Sequence, residues 1–371
     1  MILDRTCPRC SHPIGPDRTV GQAVICQCGW TGKRSDFEKG KKRIPMKKLG
    51  LGLTALLLAF MVYDGQKWGK LYPERLWYNA LSTLKMTSAK DEARMGYVCS
   101  QIGNHHCAAD AYTKAFAKAP QSYNLAGALG VELAKIGQND RAILTFQNFF
   151  SYNEGTAEHK RHYAKALSGA GYVDDATEWY YQALQANSKD FDAAKEMINH
   201  LVKSQNYVEA LSVIGHYNVL FPQTTKEWAN LIDDVKQAYR GYTDQYELKE
   251  IKISGLNKYL HAPVQFENSM ETKLFMVDPE SDYLTLDEQW LQDHGIPFTS
   301  HGEKELMASN GMYLKGTSVT LPSLKVGPFH LKDVKAVACK NCAFMLGKDV
   351  MKKLNFSVTE SKGVKHITLK Q

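Results

Sequence analysis

The sequence has no strong excess of either charge and no histidines at ligand spacing. Its 371 residues carry 46 Lys and Arg against 39 Asp and Glu, a formal net charge of +7. That balance is mild for the length. The basic residues bunch between Lys33 and Lys48, which could bind nucleic acid, but the apolar run after them favours a membrane and makes nucleic acid an unexpected partner. Hydrophobic residues make up 44% and charged residues 23%, which excludes wholesale disorder. The scattered histidines His105, His106, His261, His294, His301 and His330 fall in no ligand spacing, so none is assigned a role. The pair Cys339 and Cys342 has no thioredoxin-like strand–helix–strand context and no second ligand pair near it in sequence.

What is present begins with cysteines. Cys7 and Cys10 form C-x-x-C, Cys26 and Cys28 form C-x-C, and 15 residues separate the pairs. Two tight turns facing each other would place four thiolates tetrahedrally, which suits Zn²⁺. Pro8 and Gly29 fit such turns, and the segment resembles a zinc ribbon. A pair of disulfides or free thiols is the alternative, and a reducing compartment argues against disulfides. Metal binding would supply most of the folding energy of so small a module. Basic residues from Lys33 to Lys48 come next, and then an uncharged run from Leu49 to Tyr63, "LGLGLTALLLAFMVY". Extended to Ile44–Trp68, with lysine stems snorkelling outward, the run approaches bilayer thickness. No small-x-small cleavage site comes after it, so a single transmembrane helix over residues 46–68 is the expectation, against a signal peptide or a buried helix. The positive-inside rule would then put residues 1–45 in the cytoplasm and the rest beyond the inner (plasma) membrane, the periplasm of a Gram-negative bacterium.

Residues 89–222 repeat. Ala108, Ala142, Ala176 and Ala210 are spaced by 34, and Tyr112, Phe146, Tyr180 and Ile214 stand four residues after each. Met95-Gly96 and Leu129-Gly130 hold one earlier position of the same frame; Tyr163-Ala164 and Met197-Ile198 hold it later. Pro120 and Pro222 close units. Small residues would let two antiparallel helices approach, an aromatic would fill the gap, and proline would stop the second helix. This 34-residue frame resembles the tetratricopeptide repeat. The resemblance implies an all-α array over residues 69–247 that binds protein or peptide partners, with residues 223–247 as a solvating end helix. Cys99 and Cys107 fall on the paired helices of the first unit, as a disulfide or as two small core residues.

From about residue 250 the pattern changes to short strands. Ala262–Asn268 alternates, Lys273–Asp278 is apolar and runs into an acid, and Ser318–Cys339 reads as strand, turn at Gly327-Pro328, and strand. Thr285–Pro297 reads as a short helix stopped at Gly295. The series suggests a β-barrel-like module over residues 248–371. Cys339 and Cys342 could be a redox pair, a half zinc site or a structural disulfide, the last being preferred in an oxidising compartment.

Two segments resemble the single-lobed, retropepsin-like aspartic proteases. Val277-Asp278-Pro279-Glu280-Ser281-Asp282-Tyr283-Leu284-Thr285-Leu286 stands where that family has Val-Asp-Thr-Gly-Ala-Ser, an apolar residue, Thr and Leu. Met345-Leu346-Gly347, with a short helix and a last strand after it, matches its second mark. By this resemblance Asp278 is the catalytic carboxylate, and activity would need a homodimer, because two carboxylates must share one proton. The departures are chemical. Pro279 has neither the hydroxyl of the family threonine nor an N–H. Glu280 adds an anion where like-charge repulsion at 4 Å is already about 4 kcal/mol at an effective dielectric of about 20. Asp278 could instead be a turn acid opening the bend made by Pro279 and Glu280. The sequence-based architecture is thus multidomain: zinc ribbon (1–45), transmembrane helix (46–68), tetratricopeptide array (69–247) and an all-β retropepsin-like domain (248–371). The expected function is a membrane-anchored scaffold with an inactive protease-like domain; the alternative is an active aspartic endopeptidase cleaving envelope proteins.

Overall fold

The computed structural model describes residues 19–20, 23–25, 31–33, 71–84, 86–256, 260–267, 269, 271–307 and 313–371. The chain divides into two compact units, Met1–Pro73 and Glu74–Gln371. In the first, β1 (Thr19–Val20), β2 (Ala23–Ile25) and β3 (Thr31–Lys33) form a small antiparallel sheet in that order. Cys7, Cys10, Cys26 and Cys28 lie outside the described residues, and so does the apolar segment 46–68.

The membrane part of the expected architecture is corrected. Among the described residues no helix is long and apolar enough to cross a membrane. The longest, Ala229–Gln245, has 17 residues, about 26 Å at 1.5 Å per residue, and exposes charged residues along one side. The described residues therefore give no support to the transmembrane helix of the expected fold class or to the single-pass inner-membrane localisation.

The second unit opens within α1 (Leu71–Thr83) and continues with four helical hairpins. These are α2 (Ala89–Gln101) with α3 (His105–Lys118), α4 (Tyr123–Lys135) with α5 (Asn139–Phe150), α6 (Ala157–Ala170) with α7 (Val173–Ala186), and α8 (Phe191–Lys203) with α9 (Tyr207–Leu220). The 34-residue frame has a direct packing cause. A Cβ added at Gly96 would stand 2.8 Å from the Tyr112 ring, and one at Gly130 would stand 2.9 Å from the Phe146 ring. In the first two hairpins the missing side chain on the first helix is where the aromatic of the second helix sits. Ala108, Ala142, Ala176 and Ala210 are fully buried.

The turn inside each hairpin repeats at the same interval. Gly103, Gly137, Gly171 and Gln205 all have positive φ, at 74°, 73°, 89° and 61°. The next N–H in each case closes back on the first helix: Asn104 to Cys99 O, Gln138 to Leu133 O, Tyr172 to Leu167 O and Asn206 to Leu201 O, at 2.8–3.0 Å. This is a Schellman closure, and Gln205 makes it without the glycine that removes its steric cost. Cys99 and Cys107 are joined as a disulfide across the first such turn.

After α9 come a single turn, α10 (Thr224–Glu227), and α11 (Ala229–Gln245). The expected solvating end helix is only half that: α11 exposes one side but buries Ile232, Val235 and Tyr239, and Trp228 before it is 1% exposed. Its buried side belongs to a core that the strands of the C-terminal part complete. The strands β4 (Glu250–Leu256), β5 (Leu260–Phe266), β6 (Thr272–Val277), β7 (Thr285–Asp287), β8 (Thr299–Met307), β9 (Tyr313–Val326), β10 (Phe329–Cys339) and β11 (Met345–Leu346) are joined by short helices α12 (Glu288–Asp293) and α13 (Lys348–Lys353), and β12 (Ser357–Ser361) and β13 (Val364–Lys370) end the chain. Six strands close on themselves in the order β10-β7-β11-β6-β5-β9, with β9 pairing back to β10 and β8 extending from β9. A closed sheet has no free edge. A second sheet has the order β12-β13-β4.

Helices and strands share one core cluster, which runs from Ala164 and Tyr180 through α8, α9 and α11 into both sheets. Helix α9 is apolar on nearly every side and is buried accordingly. It packs on β4, β5 and β6. Ser212 on α9 donates to Ser254 O at 2.9 Å and accepts from His261 N–H at 3.1 Å. Cys339 and Cys342 are joined at the end of β10.

Candidate functional site

Asp278 stands at the end of β6, half-buried. The segment after it folds back, and β11 inserts between β6 and β7, parallel to the first and antiparallel to the second. Two loops therefore cross. Asp278 N–H donates to Leu346 O at 3.0 Å, and Lys348 N–H donates to Ser281 O at 2.7 Å. The Thr285 hydroxyl donates to Ala343 O at 2.7 Å. Gly347 is obligatory at the crossing, since a Cβ there would lie 2.4 Å from Tyr283 O and 2.7 Å from Tyr283 N. The two sequence segments that carried the protease resemblance are thus brought together, Asp278 with Met345-Leu346-Gly347.

The carboxylate itself accepts the N–H of Glu280 at 2.9 Å. That is an Asx turn, the local bond that makes aspartate a turn opener. Glu280 makes this bond with its backbone while its side chain stays exposed. Pro279 supplies neither donor. Hydrolysis by a carboxylate pair needs a second acid, and this chain offers one such aspartate at the crossing.

A second candidate is the inner layer of the helical array. The first helices of successive hairpins touch one another, α4 against α6 and α6 against α8. Among the described residues the second helices make no comparable contact, so α4, α6 and α8 form the tighter, inner layer of the array. Ion pairs cross this layer: Arg161 reaches Asp190 at 3.7 Å and Asp192 at 3.6 Å, and Lys165 reaches Glu196 at 3.3 Å. Glu132 on α4 is buried and accepts from Ser100 and Lys135 and meets His105 Nδ1 at 2.7 Å. His162 is buried and both its ring nitrogens lack hydrogen-bond partners; the Glu158 carboxylate stands 3.9 Å away. Burial, together with Arg161, Lys135, Lys165 and His159 around it, drives its pKa down to about 3, so it is neutral with one donor and one acceptor unused.

Sequence reasoning assigned none of these inner-layer residues. The signal was available in the frame: Arg161 and His162 stand three and two positions before Ala164, and Lys165 one after it, and Ala164 is the residue that replaces Gly96 and Gly130. Among the described residues no group of three or more His, Cys, Asp or Glu could hold a metal ion.

No family model matches this chain. No curated protein matches it either. Among solved structures, the chain is similar to MamA (residues 41 to the end) from Desulfovibrio magneticus RS-1, at 13% identity over 50% of this chain and 96% of that one, with a TM-score of 0.34. It is similar to YrrB, a tetratricopeptide repeat protein with an unusual peptide-binding site, at 19% identity over 44% of this chain and 93% of that one, TM-score 0.34. It is also similar to a retropepsin-like aspartic protease from Rickettsia conorii, at 19% identity over 33% of this chain and 92% of that one, TM-score 0.26.

Proposed function

We propose that this chain is a protein-binding scaffold that takes an extended peptide segment along the inner layer of its helical array, and that its β module does not hydrolyse peptides. The supporting observation is the character of that layer. Its first helices pack tightly on one another yet leave charged and polar groups, Arg161, Lys165, Asp192 and Glu196, on the side away from the core. Such a surface suits a polar, extended partner with backbone donors and acceptors rather than another apolar element. For the β module, the support is Asp278 spent on its own turn and Pro279 in place of a hydroxyl donor.

The test is selection of twelve-residue peptides from a random displayed library by the full chain, and then anisotropy on labelled winners. Peptides should be enriched, and their binding should weaken at least tenfold in the double variant Arg161→Glu, Lys165→Glu while Asp278→Asn leaves it unchanged. No enrichment, or enrichment indifferent to the double variant, would remove the reading. The alternative, an aspartic endopeptidase working as a homodimer, draws on one observation: a backbone N–H, that of Glu280, donates to the Asp278 carboxylate. We further propose that Cys7, Cys10, Cys26 and Cys28 hold one structural Zn²⁺, since four thiolates in two close pairs fit its tetrahedral preference.

A further inference from the structure

A cavity of about 590 Å³ opens where the helical array meets the terminal sheet. That is within the range of small-molecule sites. Tyr181 from α7, Tyr207 from α9, and Tyr239 and Tyr242 from α11 line it, with Glu209 from α9 and His366 from β13. The rings of Tyr207 and Tyr242 lie 5.3 Å apart. Polar groups from four elements converge: the Tyr181 hydroxyl donates to Glu209 Oε1 at 3.1 Å, and the His366 Nδ1 meets Ser254 Oγ of β4 at 2.8 Å. Tyr239 is 1% exposed and its hydroxyl has no hydrogen-bond partner.

Two of the lining carboxylates are neutralised by lysines outside the lining. Glu178 pairs with Lys362, and Glu250 pairs with Lys370 at 2.7 Å. Asp174 and Lys252 add one charge of each sign. Burial raises the pKa of the Glu209 carboxyl, against the bonds from Ser254 and Tyr181 and the nearby Lys252. Burial, then Lys252, lowers that of His366. Both groups are thereby driven towards their neutral forms, each able to donate and to accept.

We infer that this cavity binds a neutral polyhydroxylated molecule of the saccharide class. A charged ligand of either sign would meet Asp174 and Lys252 together, attracted by one and repelled by the other, and would give up its hydration for little net gain. A molecule rich in hydroxyls matches a wall of neutral groups that both donate and accept, and its apolar C–H faces match tyrosine rings. This site is separate from the inner layer, and peptide binding there neither requires nor excludes it.

The experiment is titration calorimetry of the full chain with maltose, cellobiose, N,N′-diacetylchitobiose and, as a cationic control, cadaverine. At least one neutral disaccharide should bind with a Kd of about 1 mM or tighter. Tyr242→Ala should weaken that binding at least tenfold. Glu209→Gln, which keeps a neutral donor and acceptor, should stay within threefold of the parent, and Glu209→Ala should lose at least tenfold. If Glu209→Ala does not fold, the Gln and Tyr242 variants decide. Binding of cadaverine alone, binding of none of the four, or binding indifferent to Tyr242→Ala would overturn the inference.

Discussion

The joint between helices and strands depends on Gly215, and replacing it sets two known effects against each other. Gly215 lies inside α9, where alanine is favoured over glycine by about 0.8–1 kcal/mol. A Cβ there, however, would come within 2.3 Å of His261 Cγ and 2.6 Å of His261 Cβ. Ordinary carbon contact needs about 3.5 Å, so the gap is short by more than about 1 Å. The clashing atoms are the root of the side chain and not a flexible end. His261 is 3% exposed, its N–H is held by Ser212, and its strand is paired with β6 on one side. It cannot swing clear, so α9 and β5 must move apart. Overpacking costs about 1–3 kcal/mol; an overlap this deep with the root of a fixed side chain belongs to the upper part of that range, about 2–3 kcal/mol, and after the helix gain of about 1 kcal/mol Gly215→Ala should destabilise by about 1–2 kcal/mol. Gly241 is the control, in the interior of α11 with nothing within 4 Å of an added Cβ; Gly241→Ala should stabilise by up to about 1 kcal/mol. Scanning calorimetry of the full chain should show the first variant melting about 2–4 °C lower and the second about 2 °C higher. If Gly215→Ala melts at or above the parent temperature, the close packing of α9 on β5 is refuted.

His162 is held neutral when folded, its pKa depressed from 6.5 to about 3, so it binds fewer protons folded than unfolded; its contribution is complete above about pH 6.5 and is lost as the pH falls towards 3, at no more than about 1.4 kcal/mol per unit. Urea titrations at pH 7 and pH 4.5 should show His162→Leu losing less stability on acidification than the parent, and equal losses would contradict the burial argument. Gly347→Ala should cost about 2 kcal/mol or more, because the added Cβ strikes Tyr283 backbone atoms that cannot rotate aside; an unchanged urea midpoint would mean that the loops do not cross as described. Purified full chain should contain one zinc per molecule by atomic emission, falling by half or more in Cys7→Ser, and metal-free folded protein would remove the zinc proposal.

Much of this fold could be read from spacing, because the packing is periodic. Gly96 under Tyr112 and Gly130 under Phe146 are the physical content of a 34-residue frame, and the buried alanines mark the same contact. The strands at Ala262–Asn268, Lys273–Asp278 and Ser318–Cys339 declared themselves by alternation, an apolar run and turn residues such as Gly327, whose φ is 59°, whereas β8 at Thr299–Met307 did not. What the sequence hid was long-range. Nothing local in "VEALSVIGHY" says that a last repeat helix will be covered by a sheet rather than by a fifth hairpin, although its all-round apolar character implied some cover. The fourth hairpin turn, at Gln205, was invisible because the residue does not advertise a left-handed conformation. Asp278 was found from the order of residues around it, whereas its bond to Glu280 N–H emerged only in three dimensions. The residues of the joint cavity, among them Glu209, Lys252 and His366, come from segments more than 40 positions apart, and no motif links them.

The most direct test of the central claim, that Asp278 shapes a turn in a binding protein, is a cleavage assay. The full chain and its Asp278→Asn variant would each be incubated with unfolded casein between pH 4 and pH 7, and new fragments monitored by mass spectrometry. Identical fragment patterns are expected for the two proteins, neither exceeding the casein blank. Fragments produced by the parent chain and absent with Asp278→Asn would refute the claim and make the chain a peptidase.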